Sequence, residues 1–193
     1  LGLSTLASIP DANTLPGYRK LGPPAPPAEL LLKRPQSTYA EAFRTLRTSI
    51  QFAEAANPIR VVAITSAVPG EGKTTTAMGL ARAVAAAGGK VLLIDADARR
   101  RASSRQFADG VTVGLDEVLA GQATLEQAIV KDSMSGAFLL PQRLDSKGVG
   151  LTESPRLAEL IEEVRGRYDL VILDTPPVLP VDEARVIASM ADG

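Results

Sequence analysis

The sequence predicts one α/β domain with three layers, α/β/α, around a mostly parallel central sheet. Short apolar runs, such as those at 61–66, 91–95 and 170–174, alternate with longer segments of helical character. The runs are too uniformly apolar for one side to face water, so helices are expected to cover both faces of the sheet. The 193 residues suffice for one such domain and are too few for two of ordinary size.

The first 36 residues are predicted to form a Pro-rich linker or arm, because seven of the 14 prolines fall there. Within it, residues 22–27 are expected to be extended and polyproline-like. A helix is predicted over 38–56, with Ser37 or Thr38 as its N-cap and Glu41 close to the capping-box position. Phe43, Leu46 and Ile50 form its apolar stripe.

The domain proper is predicted over 37–193, and from residue 61 strands and helices alternate. Strands are expected over 61–66, 91–95, 137–140 and 170–174, and helices over 74–87, 114–119, 124–130, 155–167 and 182–190. Gly88 and Gly89 end the first of these helices as a C-cap. Another strand is expected where the sequence stops, so the domain is expected to be incomplete at its C-terminus.

A phosphate-binding loop is predicted between the first strand and the first helix of this series. Residues 67–74 read Ala-Val-Pro-Gly-Glu-Gly-Lys-Thr, which fits the spacing G/A-x-x-x-x-G-K-[ST]. Loop amides and the positive end of the helix dipole face an anion there, Lys73 is expected to reach the β- and γ-phosphates, and the Thr74 hydroxyl is expected to ligate Mg²⁺. The fold is therefore expected to be of the P-loop NTPase type with ATP/ADP and Mg²⁺ as cofactors. The predicted nucleotide-binding residues are Gly70, Glu71, Gly72, Lys73, Thr74 and Thr75.

Three carboxylates follow buried strands. Asp95 and Asp97 lie two residues apart at the end of one strand, where extended backbone projects both to the same side, and Asp174 ends another strand. Thr74, Asp97 and Asp174 are the predicted metal ligands, and Asp95 is the candidate to orient or deprotonate an acceptor hydroxyl. The sequence leaves open which of Asp95 and Asp97 faces the metal.

Composition narrows the chemistry. The chain has no His, which excludes imidazole general-base catalysis, so proton abstraction must fall to a carboxylate. It has no Cys, which excludes disulfides and thiolate metal sites. The formal net charge of −1 does not attract nucleic acid, and no apolar run approaches the ~18 residues of a membrane span.

Four motifs resemble those of the cytoplasmic kinase domain of the bacterial tyrosine kinases (BY-kinases) of capsule and exopolysaccharide export. The loop S-A-V-P-G-E-G-K-T carries the family's Pro-Gly-Glu insert, V-L-L-I-D-A-D-A-R resembles its second Walker-A motif, and L-V-I-L-D-T-P-P resembles its Walker B. E-A-F-R-T-L-R at 41–47 is similar to the E-x-x-R-x-x-R helix that joins subunits into a ring, which implies that Glu41, Arg44 and Arg47 serve oligomerisation.

The resemblance implies an ATP-dependent protein-tyrosine autokinase that regulates polysaccharide polymerisation and export, with Lys73 and Asp95 as catalytic residues. The implied partners are other subunits of a ring-like homo-oligomer, the tyrosine-rich tail of a neighbouring chain and a membrane polysaccharide co-polymerase segment, but no nucleic acid. The implied location is the cytoplasmic face of the bacterial inner membrane, with residues 1–36 as a juxtamembrane linker.

Two other readings remain open at this stage. One is a nucleotide-dependent, membrane-associated assembly ATPase without kinase activity, like the partition and division-site ATPases. Their phosphate loop carries an extra lysine where this chain has Val68, which argues against that family. The other, a kinase for a small metabolite, is disfavoured because no substrate-lid signature stands out.

Three departures from the BY-kinase pattern stand out. Arg101 replaces the usual Pro, and residues 145–154 lack the usual Asn-Pro-x-Glu-Leu-Leu character. The C-terminal tyrosine cluster is absent, since only Tyr18, Tyr39 and Tyr168 occur. Of these, Tyr18 is expected to lie in the flexible arm and to be the one tyrosine that could reach an active site.

Overall fold

A computed structural model of the chain describes residues 4–16, 18, 27–53, 58–107, 111–145, 151 and 154–193. A short 3-10 helix, Ala12–Thr14, precedes the α-helices. The α-helices are α1 Pro27–Lys33, α2 Thr38–Phe52, α3 Lys73–Ala86, α4 Ala102–Phe107, α5 Leu115–Leu119, α6 Leu125–Ala128, α7 Pro155–Arg165 and α8 Glu183–Ala188. The strands are β1 Val61–Ile64, β2 Val91–Asp95, β3 Val130–Lys131, β4 Phe138–Leu140 and β5 Leu170–Asp174.

The sheet has the strand order β1-β5-β2-β4-β3, in which β1, β5, β2 and β4 are parallel. Among the described strands, only the two-residue β3 at the edge is antiparallel. The predicted mostly parallel α/β fold is therefore confirmed. The register places Asp95 of β2 directly opposite Asp174 of β5, and Ile64 of β1 opposite Asp174 on its other side. The carboxyl ends of the three strands that carry the predicted motifs thus meet at one edge of the sheet.

Helices cover both faces of this sheet, as the uniformly apolar strands predict. Neighbouring residues within a strand belong to different cores: Val61 and Leu92 pack on one face, and Val62 and Leu93 on the other. The core under α1, α2 and α3 includes Phe43, Leu80 and Ile172, whereas the core under α5, α7 and α8 includes Leu115, Ile161 and Ile187. Burial on both faces gives the three layers.

The contact between α2 and α3 is unusually close. The Phe43 ring lies over Gly79, where any Cβ atom would overlap the ring. Ser37 begins α2, since its hydroxyl accepts a hydrogen bond from the Ala40 N–H at 3.1 Å. The predicted apolar stripe of α2 is buried. The helix α2 therefore packs closely against α3, the helix that follows the phosphate loop.

The N-terminal segment differs from the predicted arm. Residues 27–33 form α1 and pack on α3, with Ala28, Leu30 and Leu31 buried. Pro27 stands at the first position of the helix, where proline has no hydrogen bond to lose. Tyr18 is only 6% exposed, so the expectation that it is free to reach an active site is wrong. The polyproline-like stretch at 22–27 lies, except for Pro27, outside the described residues.

Two further elements differ from the sequence prediction. Residues 102–107 form α4, which was not expected, and the helix expected over 124–130 ends at Ala128 and gives way to β3. The remaining predicted elements are present; β2 and β5 have the predicted bounds, and the bounds of the others are shifted by one to a few residues. None of the helices in the described part of the chain has the length and apolar character needed to cross a membrane.

Candidate nucleotide site

The phosphate loop connects β1 to α3 in the geometry that the sequence predicts. Gly70 and Gly72 have φ of 95° and 90°, in the left-handed region that favours glycine. Gly72 is the N-cap of α3, and no side chain caps the helix. The first amides of α3 and its positive dipole end are therefore available to an anion. The Glu71 carboxylate accepts a hydrogen bond from the Val68 N–H at 3.1 Å and so braces the loop.

Lys73 points from the start of α3 towards the strand ends and is only 8% exposed. Its Nζ lies 2.7 Å from Asp97 Oδ2, 3.4 Å from Asp174 Oδ1 and 3.3 Å from the Thr74 hydroxyl. One ammonium group therefore compensates two buried carboxylates. The structure brings together the residues that the sequence assigned to phosphate and to metal.

Asp174 is fully buried, and its two oxygens have different surroundings. Oδ1 accepts a hydrogen bond from the Thr74 hydroxyl at 3.2 Å, whereas Oδ2 is buried without a hydrogen-bond partner. Burial raises the pKa of the Asp174 carboxyl to about 6, although the Lys73 charge opposes the shift. The raised pKa means that the charges and hydrogen bonds of the protein do not fully offset the cost of burying the ionised carboxylate.

This oxygen-rich arrangement fits a magnesium ion. Asp97, Asp174 and the Thr74 hydroxyl offer hard oxygen atoms as metal ligands. Among them, Asp174 Oδ2 is the oxygen without a hydrogen-bond partner. The described residues contain no group of three or more His, Cys, Asp or Glu side chains that could hold a metal ion. Magnesium does not need one, since it is usually held by one or two carboxylates together with phosphates and water.

Asp95 is also fully buried, but it faces a different neighbour. Its Oδ2 accepts hydrogen bonds from the Ser104 N–H at 2.9 Å and the Ser104 hydroxyl at 2.5 Å, and its Oδ1 accepts from the Asp97 N–H at 3.2 Å. Burial raises the pKa of the Asp95 carboxyl despite these hydrogen bonds. Asp97 is thus the member of the pair that contacts Lys73, and Asp95 is held by α4.

Gln142 is a site residue that the sequence analysis missed. It is fully buried, its N–H donates to the Ser104 hydroxyl oxygen at 2.9 Å, and its Nε2 donates to the Asp95 carbonyl at 2.7 Å. These bonds fix the end of β2 that carries both carboxylates. The available signal was its position just after β4, the strand beside β2, at the same edge of the sheet.

The turn after Asp97 explains how the chain accommodates Arg101. Asp97 Oδ1 accepts hydrogen bonds from the Arg99 and Arg100 N–H groups, and the Arg101 N–H donates to the Asp97 carbonyl at 2.8 Å. Arg101 has φ of 48°, and its guanidinium donates to the Arg143 carbonyl at 2.7 Å. Proline could neither adopt this φ nor donate this hydrogen bond, so proline would not fit the turn that Arg101 forms here.

The predicted oligomerisation residues lie on α2, away from the phosphate loop. Arg44 pairs with Glu41 and also donates to the Pro35 carbonyl at 2.7 Å, so both are engaged within the chain. Arg47 lines a cavity at the amino ends of β1 and β5, whereas the phosphate loop follows the carboxyl end of β1. Of the altered segment at 145–154, residues 146–150, 152 and 153 lie outside the described part.

Comparison with known proteins identifies the family. The AAA domain family matches residues 59–191. The tyrosine-protein kinase YwqD of Bacillus subtilis is 40% identical over 165 residues, which cover 85% of this chain and 70% of YwqD. The chain belongs to the bacterial tyrosine-kinase family.

Other BY-kinases agree in fold and differ in length. The kinase domain of the Escherichia coli tyrosine kinase ETK is 33% identical, with a TM-score of 0.84 over 98% of this chain and 76% of that domain. The putative tyrosine-protein kinase EpsB of Ralstonia solanacearum is 36% identical, and the match spans 98% of this chain but only 26% of EpsB. This BY-kinase chain therefore spans most of the length of YwqD but only about a quarter of the length of EpsB.

The division-site ATPases are more distant. The septum site-determining protein MinD of Pyrococcus horikoshii, solved in complex with Mg-ADP, has a TM-score of 0.61 and covers 69% of this chain at 31% identity. Its match is shorter and less similar in fold than that of ETK. The comparison thus favours the kinase branch over the division-site branch of this fold.

Proposed function

We propose that this chain is an ATP-dependent protein-tyrosine kinase domain that regulates capsule or exopolysaccharide polymerisation and export. The observation that carries the proposal is the buried cluster of Lys73, Thr74, Asp97 and Asp174 at the phosphate loop. The kinase names of its relatives support the choice of reaction.

In this proposal the loop amides at 70–75 and Lys73 bind the phosphates of ATP. Phosphoryl transfer depends chiefly on such placement and on charge stabilisation, which buried, fixed groups provide without reorganising. Thr74, Asp97 and Asp174 would hold Mg²⁺, which when bound neutralises phosphate charge. Lys73 would then exchange its carboxylate partners for phosphate oxygens.

Asp95 is the proposed catalytic carboxylate for the acceptor tyrosine. Burial raises its pKa, which favours its acceptance of a proton. Ser104 already donates two hydrogen bonds to Oδ2, whereas Oδ1 accepts one, from the Asp97 N–H, and keeps a lone pair with which it could orient or deprotonate a hydroxyl. Ser104 is therefore proposed as a positioning residue for Asp95.

The acceptor is proposed to come from another chain. The three tyrosines are 6%, 1% and 9% exposed at Tyr18, Tyr39 and Tyr168, and an acceptor oxygen must approach the phosphorus to ~3.5 Å. The proposed substrate is a tyrosine-rich tail delivered by a neighbouring subunit of a ring-like homo-oligomer, to which Glu41, Arg44 and Arg47 contribute. We place this assembly at the cytoplasmic face of the inner membrane, beside a polysaccharide co-polymerase segment.

Mass spectrometry after incubation with Mg·ATP tests the reaction. The chain alone should carry little phosphotyrosine, and a second chain with a tyrosine-rich tail should become phosphorylated. Lys73→Ala, Asp97→Asn and Asp174→Asn should each suppress the transfer, whereas Lys33→Ala, which removes an exposed lysine of α1, should not. Hydrolysis of ATP without any phosphotyrosine would instead favour an assembly ATPase, and stoichiometric phosphate on Tyr39 or Tyr168 would contradict a tyrosine-rich tail as the acceptor.

A further inference from the structure

Three exposed arginines lie beside the buried cluster of the nucleotide site and take no part in the nucleotide binding proposed above. Arg99 and Arg100 belong to the turn that follows Asp97, and Arg105 lies in the last turn of α4. The Arg105 Nε donates a hydrogen bond to the Arg100 carbonyl at 3.2 Å, which brings the third arginine back to this turn. We call Arg99, Arg100 and Arg105 the basic rim.

The main chain holds the basic rim next to the site. Asp97 contacts Lys73 through its Oδ2. Through its Oδ1, the same carboxylate accepts hydrogen bonds from the Arg99 N–H at 3.3 Å and the Arg100 N–H at 3.1 Å. These bonds use backbone groups and leave both guanidinium groups uninvolved. The side chains of the turn can therefore be replaced without removing the bonds that fix it to the site.

The positive charge of the basic rim is weakly compensated. The Arg99 side chain is 63% exposed, and its Nε lies 3.8 Å from Glu183 Oε2, a long and exposed ion pair. Among the residues that the structure describes, neither Arg100 nor Arg105 has a carboxylate partner. The whole chain has a formal net charge of −1, so this cluster is a local feature. Neighbouring like charges repel each other, and a bound acidic segment would relieve that repulsion.

The other side of the site has a different character. Leu179 follows β5 and is 69% exposed, and its N–H donates to the Ala67 carbonyl at 3.3 Å. Val68 is 44% exposed, and the Glu71 carboxylate bonded to its N–H adds a negative charge there. The strand order β1-β5-β2-β4 places these groups on the β1 and β5 side and the basic rim on the β2 and β4 side. An acidic segment is therefore expected to bind on the side of the rim.

We propose that the basic rim binds acidic residues next to the acceptor tyrosine and so selects the segment that the site phosphorylates. This inference rests on the proposed tyrosine-kinase function and adds the chemical class of its substrate, a tyrosine flanked by Asp or Glu. Arginine suits this role because its planar guanidinium pairs with a carboxylate through parallel hydrogen bonds. Mg·ATP fits the rim less well, since the loop amides, Lys73 and the metal already serve its phosphates in the proposed site.

Fluorescence anisotropy with short labelled peptides measures this binding directly, on protein saturated with Mg·ADP. One peptide carries a central tyrosine with glutamates on both sides, and two matched peptides carry glutamine or lysine in their place. The glutamate peptide should bind roughly tenfold more tightly than the glutamine peptide, as expected for several exposed ion pairs together, and the lysine peptide should bind most weakly. Added salt should remove the difference, because it screens exposed charges.

Arg99→Gln, Arg100→Gln and Arg105→Gln should each weaken binding of the glutamate peptide about two- to fivefold, the range of one exposed ion pair. None of them should change the affinity for the glutamine peptide or for Mg·ADP. Arg156→Gln, which removes an exposed arginine of α7, is the matched control and should change nothing. Arg100→Glu combined with Arg105→Glu should reverse the preference towards the lysine peptide, which a merely structural role of these side chains would not produce.

Equal binding of the glutamate and glutamine peptides to the wild type, including no binding of either, would overturn the inference. So would a loss of Mg·ADP affinity in the rim variants, which would assign the arginines to the nucleotide. Binding to phosphatidylglycerol vesicles that the variants abolish, without any preference among peptides, would assign them to a lipid surface instead.

Phosphorylation of the same peptides, followed by mass spectrometry, separates this inference from the proposed function. Transfer to tyrosine without a preference for acidic neighbours would count against the role of the rim and leave the kinase reaction in place. A preference for the glutamate peptide in binding, without transfer to any tyrosine, would support the rim and count against the kinase reaction.

Discussion

Replacing Lys73 by Met should destabilise the nucleotide-free protein strongly, in addition to weakening ATP binding. Lys73 is the cation that contacts the buried carboxylates of Asp97 and Asp174, and Asp95 lies buried beside them. Methionine keeps a long unbranched side chain but removes the charge. The variant therefore leaves buried carboxylates without compensation, which is among the costliest changes in a protein interior.

The distances give the scale of this effect. At an effective dielectric constant of about 20, unit charges separated by 2.7 Å and 3.4 Å attract by about 6 and about 5 kcal/mol. Much of this attraction offsets the desolvation of the ions, so the net loss on breaking the cluster is expected to be about 3–5 kcal/mol. A loss of that size is a large part of the roughly 5–15 kcal/mol that stabilises a typical domain.

Urea unfolding at pH 8 with EDTA measures the loss directly. Lys33→Met is the matched control, because Lys33 pairs with Glu29 at 2.6 Å but is 45% exposed, and such pairs contribute only about 0.3–0.5 kcal/mol. Adding Asp97→Asn to Lys73→Met should recover part of the lost stability, and Mg²⁺ should stabilise Lys73→Met more than the wild type. Equal small losses in Lys73→Met and Lys33→Met would refute the reasoning, because the carboxylates would then not depend on Lys73.

Two further predictions concern α2 and Asp174. Arg44→Glu combined with Arg47→Glu should convert an oligomer into monomers in light scattering while nucleotide affinity stays nearly unchanged; an unchanged oligomer would leave these residues as a solvated helix face. Burial in the fold raises the pKa of the Asp174 carboxyl from 3.8 to about 6, so the fold favours its protonated form. In the nucleotide-free protein with EDTA, the contribution of Asp174 to the free energy of unfolding should therefore fall as pH rises from about 4 to about 6. Asp174→Asn should remove that part of the slope in urea unfolding across this range, and an unchanged slope would contradict the assignment.

The sheet and the phosphate loop were predictable because their signals are local. Four apolar residues before Asp95 and before Asp174 dictate buried strands, and two glycines at φ near 90° are what the loop spacing requires. The N-terminal segment was not predictable in the same way. Seven prolines dominate its composition, and α1 has only seven residues, too few to be stable without its contact to α3.

The division of labour between Asp95 and Asp97 also depended on tertiary structure. Alternation in a strand places both side chains on the same side, and it cannot say which neighbour each one meets. Ser104 decides the matter, because its N–H and hydroxyl both donate to Asp95 and leave Asp97 to Lys73. Ser104 lies in α4, a helix of six residues that no sequence signal announced.

The charges of the site explain why its residues must exchange partners as a group. Asp97 and Asp174 need a cation in a buried setting, and Lys73 supplies it in the structure. If Lys73 moved to the phosphates alone, the carboxylates would be left uncompensated, since Asp174 Oδ2 already lacks a donor. In the proposed kinase, a divalent cation bound together with the nucleotide would supply the positive charge that these carboxylates need. We therefore expect these residues to make nucleotide binding without magnesium unfavourable, and this coupling would follow from burial and charge rather than from any contact between Asp174 and the phosphates.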